Sequence, residues 1–109
     1  MYRELVAASS TPLILSILSL GESYGYAIIR AVRSRSEDEL EWTDGMLYPV
    51  LHRLEEQKMI ESRWRTGENG RKRKYYRITN MGREELSRQR AQWSKIHSTL
   101  QTLWNELEG

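Results

Sequence analysis

Leu86, Trp93, Leu100 and Leu107 recur at every seventh position, with Ile96 and Leu103 at intermediate ones. This heptad spacing predicts one long amphipathic helix over 80–109, with Gln89 as its polar gap. Such a helix cannot pack along its whole length on the small remainder of a 109-residue chain. A partner helix is therefore implied, and the simplest partner is the same helix of a second copy. The expected seam is Leu86, Trp93, Ile96, Leu100, Leu103, Trp104 and Leu107, with His97 beside it.

The length suits one domain, and the hydrophobic and charged fractions, 39% and 29%, suit a globular one. There is no Cys, which excludes disulfides and thiolate metal sites. The formal charge of +2 hides an uneven distribution. Arg63, Arg65, Arg71, Lys72, Arg73, Lys74 and Arg77 fall within residues 62–77, where Glu68 is the only acid. That segment carries +6 and the rest of the chain −4. A concentrated cationic segment in a near-neutral chain points to an anionic polymer or surface as partner.

Thr11-Pro12 reads as a helix start, with residues 2–9 also helical and Pro12 as a kink or boundary between the two pieces. Leu13, Ile14, Ile17, Leu18 and Leu20 are expected in the core. The apolar run Pro12–Leu18 is far short of the ~20 residues of a membrane span. Arg3 beside Glu4, with no small-x-small cleavage site following, argues against a signal peptide. The expected location is the cytoplasm.

A second helix is predicted from Gly25 to Ser34, with Ala27, Ile28, Ala31 and Val32 inward and Arg30 and Arg33 solvated. The acidic run after it suggests a short strand near Leu40–Trp42. Thr43 should cap a third helix ending near Lys58, with Leu47, Val50, Leu51 and Leu54 buried. Gly45, Pro49 and His52 then lie on the opposite side, flanked by Tyr48 and Arg53. Residues 60–66 alternate as a strand, Gly67–Gly70 is a turn, and residues 71–78 form the returning strand. Trp42 and Trp64 are expected to close the core beneath this hairpin. Thr79 or Asn80 caps the last helix.

Three helices followed by a hairpin is the order of a winged helix, an α+β and mainly α architecture. Its third helix enters the major groove and its wing reaches backbone phosphates or the minor groove. Long cations on the wing suit phosphate binding through counterion release. Residues 1–79 would form the DNA-binding unit and 80–109 the dimerisation helix, joined as one structural unit.

The chain resembles the PadR family of bacterial transcriptional regulators. The resemblance is carried by Leu47-Tyr48-Pro49-Val50-Leu51-His52-Arg53-Leu54-Glu55 with Ile60-Glu61-Ser62. It extends through Arg73-Lys74-Tyr75-Tyr76-Arg77-Ile78-Thr79 with Gly82, and through Gly25-Tyr26-Ala27-Ile28. Lys58 departs from it, standing where the family usually has Gly. The resemblance implies a homodimeric repressor that binds a two-fold related duplex operator and needs no cofactor. The expected DNA contacts are Thr43, Gly45, Met46, Tyr48, Pro49, His52, Arg53, Arg71, Lys72, Arg73 and Lys74. Arg53 has a second use open to it, an ion pair with Glu56 or Glu37.

Some short members with a single C-terminal helix, the multidrug-binding ones, hold flat aromatic drugs between paired Trp residues at the dimer interface. By residue matching, the ligand would meet Leu5, Ala8, Pro12, Trp93, Ile96 and His97, although a heptad Trp is usually dimer core. The alternative function is a winged-helix protein–protein interaction module. Enzyme readings are excluded on chemistry. His52 and His97 lie on different helices without ligand spacing, Gly67–Gly70 precedes no helix, and the carboxylates form no paired arrangement.

Overall fold

Helix α1 (Arg3–Leu20) runs unbroken through Pro12 and lies against the second, third and last helices and the sheet. The structure, a computed structural model, describes residues 3–109, so Tyr2 of the expected first segment lies outside the described residues. The expected boundary at Thr11-Pro12 is thus corrected to a continuous helix. Pro12 removes one N–H from the ladder, at a cost of about 3 kcal/mol. Buried residues on both sides of it, Val6 and Ser10 before and Ile14, Leu15, Ile17 and Leu18 after, hold the helix in register. Through this continuity α1 becomes long and apolar enough to cross a membrane by length and composition alone. Val6, Ile14, Leu15, Ile17 and Leu18 instead belong to the core, with Ile14 and Leu15 fully buried, whereas Leu20, also expected there, is 71% exposed.

The remaining elements are β1 (Ser23–Tyr24), α2 (Gly25–Arg35), α3 (Asp44–Glu56), β2 (Ile60–Thr66), β3 (Lys72–Ile78) and α4 (Asn80–Glu108). The sheet is antiparallel with order β1-β3-β2. No strand forms at Leu40–Trp42; the third strand is β1, which pairs Ser23 with Tyr76 and Tyr24 with Tyr75. The free edge of β3 is therefore already occupied. Leu40 packs against the core and Trp42 enters it. Trp42 lines a groove with Arg3, Val6 and Met46, at the α1 side of the domain and not beneath the hairpin. Trp64, also expected in the core, is 66% exposed.

Thr43 occupies the N-cap position of α3, but its hydroxyl makes no capping bond; its carbonyl accepts from Met46 and Leu47. The helix ends at Glu56, two residues before the expected Lys58. Met59 N–H donates to the Leu54 carbonyl and Lys58 N–H to that of Glu55, both at 3.0 Å. These two bonds make a Schellman cap. Such a cap requires a left-handed residue, and Lys58 supplies it with φ 62. The departure from Gly therefore leaves the exit geometry intact at the cost of backbone strain.

The last helix starts on that cap. Thr79 Oγ1 accepts from Gly82 N–H at 3.1 Å and donates to the Lys58 carbonyl at 2.6 Å. Thr79 N–H donates to the Met59 carbonyl at 3.0 Å. Gly82 is buried directly against that carbonyl, and a Cβ there would overlap the oxygen. Backbone cannot swing aside as a side-chain tip can. Gly82→Ala should therefore lower stability by at least ~2 kcal/mol, read as a fall in the urea midpoint. An unchanged midpoint would show that the α3–α4 joint yields freely.

Candidate nucleic-acid interface

Leu47, Leu51 and Leu54 pin one side of α3 into the core, which leaves three different surroundings for its other residues. Gly45, Pro49 and His52 are exposed on the outward side. Met46 and Arg53 turn toward α1: Met46 lines the groove with Arg3 and Val6, and Arg53 Nη2 donates to Thr11 Oγ1 at 2.8 Å. Arg53 is thus held by α1, without the expected acidic partner. Tyr48 turns toward α2, where its ring lies over Gly25. A Cβ at Gly25 would come within 2.9 Å of Tyr48 Cζ, so this close approach needs glycine at the start of α2.

The wing is the β2–β3 hairpin, with Ile60 paired to Ile78 at its base and Thr66 to Lys72 near its tip. Alternation divides its cations between two faces. On the outer face, Arg63 and Arg65 both bond Glu22 of the α1–β1 loop, at 3.2 and 2.8 Å. The Arg65 hydrogen bond holds the Glu22 carboxyl below its ordinary range against the opposing effect of burial, with Arg63 adding to it. Arg77 pairs with Glu61. Arg65 stacks on Tyr75 and Arg73 on Tyr24, each 4.3 Å from the ring centre. These contacts lock the outer face into a ladder of alternating Arg and Tyr.

On the inner face, Glu55 of α3 accepts from the Ser62 hydroxyl and pairs with Lys74 at 3.8 Å. Lys74, expected at phosphate, is thereby turned toward α3. Among the described residues Arg71, Lys72 and Arg73 have no carboxylate partner. The sequence signal of seven clustered cations resolves into three without an acid, all next to the turn. Between the wing and the starts of α2 and α3 lies a cleft of about 510 Å³. It is lined by Tyr24, Tyr26, Tyr48, Trp64 and residues 71–74.

Sequence reasoning missed Glu22, Glu55 and the outward position of Trp64. No local signal marks the two acids, since Glu22 is 41 and 43 residues from its arginines. For Trp64, the alternation of β2 does place it on the core-facing side, but the core ends before it. On α2, Arg33 is not simply solvated; it bridges Asp38 and Glu41.

On α4, Leu86 packs against this chain's own core. Trp93 is half-buried, with its indole N–H donating to Gln89 Oε1 at 3.3 Å. Every residue from Ser94 to Gly109 is exposed, including Ile96, Leu100, Leu103, Trp104 and Leu107. Leu5 and Ala8 of α1 are exposed and Pro12 is half-buried. The cleft and groove described above are lined by other residues than these.

The fold and the wing define a winged helix-turn-helix protein of the DNA-binding regulator class. Residues 14–88 match the transcriptional regulator PadR-like family, and the chain belongs to it. It is a transcriptional regulator and not an enzyme. The PadR-like transcriptional regulator of Bacillus cereus is 30% identical. It superposes with a TM-score of 0.81 over 92% of this chain and 95% of that one. A transcriptional regulator of Clostridium thermocellum is 28% identical, with a TM-score of 0.82 over 91% and 96%. The transcriptional regulator YqjI of Escherichia coli is 31% identical over 87 residues, 80% of this chain but 40% of that protein.

Tyr76 anchors the wing in the core beside Glu55 and Tyr48, and burial first, then those neighbours, push its phenol up to about 12 from 10.0. The folded state therefore keeps this proton longer than the unfolded state. The associated stability is intact below pH 10 and is lost as pH rises from 10 to 12. At most ~2–3 kcal/mol is involved. Tyr76→Phe should flatten the alkaline fall of the denaturation midpoint; an equally steep fall would assign it to other groups.

Proposed function

We propose that the chain acts in the cytoplasm as a homodimeric repressor of a two-fold related operator, released by a planar aromatic ligand. The observation that carries the DNA-contact part is the trio Arg71, Lys72 and Arg73, which lines one cleft with Tyr48 of α3. Gly45, Pro49 and His52 offer close approach to base edges at the groove, with Thr43 and Tyr48 at its margin. The trio neutralises phosphates next to it. The ion pairs at Glu22, Glu55 and Glu61 reduce the cations available for phosphate from seven to three.

The dimer is supported by the seam that runs from half-buried Trp93 through Ile96, Leu100, Leu103, Trp104 and Leu107, the last five all exposed. Two such helices paired would bury it at heptad spacing. The two α3 helices must then match one duplex turn, ~34 Å. A flat ring held between the Trp93 pair, bordered by Leu5, Ala8, Pro12, Ile96 and His97, would favour another spacing. It would weaken DNA binding by its difference in affinity for the two states.

Titration with duplex DNA at several salt concentrations tests the reading. Each phosphate contact contributes a slope of about −0.9 in log affinity against log salt. Replacing Arg71, Lys72 and Arg73 by Ala should flatten that slope by ~2.7 per protomer and weaken all sequences alike. A loss confined to one sequence would contradict the phosphate role. For the ligand, a planar aromatic dye should quench Trp fluorescence, lose that effect in Trp93→Ala, and lower operator affinity at fixed salt. Binding of the dye with operator affinity unchanged would refute the linkage.

A further inference from the structure

Trp64 is a large, mostly apolar side chain placed on a wing arm where nothing in its own chain covers it. The strand register explains how it comes to be there. Ile60, Ser62 and Trp64 share the inner face of β2, opposite Ile78, Tyr76 and Lys74. Ile60 and Tyr76 are buried beneath α3, and Ser62 reaches Glu55. The next inner position overhangs the end of the core, so the indole stands 66% exposed. It lines the cleft that Tyr24, Tyr26 and Tyr48 bound from the helix side and Arg71, Lys72 and Arg73 from the wing side. With Arg65, Thr66 and Lys72 it also lines a second hollow of about 530 Å³.

Aromatic faces set among cations without carboxylate partners have the chemistry of a sugar-phosphate site. The apolar ring covers the sugar, the cations take the phosphates, and an indole N–H is a donor only. The fold supplies the direction. With α3 in one groove and the wing tip at the next, the strand dividing the grooves crosses the cleft between them. We propose that Trp64 is a DNA-contacting residue whose indole lies against a deoxyribose of that dividing strand, between phosphates held by Arg71 and Lys72. This rests on the DNA-binding reading and adds an apolar contact to it. The contact is indifferent to sequence and insensitive to salt, because an apolar surface displaces no counterions.

The test uses the full chain, a fluorescently labelled mixed-sequence duplex, and anisotropy titrations from low to moderate salt. Trp64→Ala should bind about tenfold more weakly at every salt concentration with its salt slope unchanged, whereas Arg71→Ala/Lys72→Ala should flatten the slope. Trp64→Phe should stay within about threefold of the parent, since it keeps a flat ring. DNA should also change the tryptophan emission of the parent chain and do so less in Trp64→Phe. Because Trp64 is exposed, Trp64→Ala should keep the parent's circular dichroism and melting temperature. Affinity of Trp64→Ala within twofold of the parent would overturn the proposal and leave the DNA-binding reading standing. A weaker Trp64→Ala with a reduced slope would also overturn it, showing that Trp64 only positions the cations. Absence of duplex binding by the parent at the lowest salt would overturn both.

Discussion

The arrangement of this molecule depends on a joint two residues wide. The exit of α3 and the entry of α4 meet where Thr79 bonds the carbonyls of Lys58 and Met59. Gly82 lets the α4 backbone come down onto the Met59 oxygen. Four physical facts converge there: a left-handed cap residue, a hydroxyl that both donates and accepts, a backbone bond and a missing side chain. One of these hydrogen bonds is backbone to backbone, and the Thr79 hydroxyl bonds backbone groups on both sides of the joint. The joint thus ties the third helix directly to the helix that carries the exposed apolar seam.

The wing shows a second economy of design. On its outer face Arg65 and Arg73 stack on Tyr75 and Tyr24, and Arg63 and Arg65 share the single carboxylate of Glu22. Its inner face is tied to α3 by Glu55 through Ser62 and Lys74. Both sets of contacts stiffen a two-stranded hairpin that would be marginal alone. They also cancel charge, so that positive potential is concentrated at the turn end of the hairpin. Surface ion pairs contribute little to stability. Here their effect is on geometry and on where the field is strongest.

Much of the fold was legible in the sequence because it rests on local pattern. The alternation of residues 60–66, the turn at Gly67–Gly70, the buried leucines of α3 and the Thr79 cap all appear where periodicity and capping chemistry put them. The errors share one cause. Pro12 reads as a boundary because propensity cannot see the packing that holds α1 straight on both sides of it. Leu40–Trp42 alternates like a strand, but Leu40 packs on the core and Trp42 enters it at the α1 side, and the segment pairs with no strand. Trp64 reads as a core residue because alternation gives the face of a strand but not where the core ends.

Spacing and residue type alone specify the parts: a long heptad helix, a cationic hairpin, a third helix with one apolar side, and family membership through motifs spread along the chain. These are short-range properties, read from spacing and residue type. The tertiary structure decided which charges remain available. Glu22 holds two arginines more than forty residues away and offsets one of their two charges, Glu55 draws Lys74 inward, and Thr11 takes Arg53. Net charge is additive along a chain, but the field that a partner meets depends on which opposite charges the fold brings within hydrogen-bonding distance.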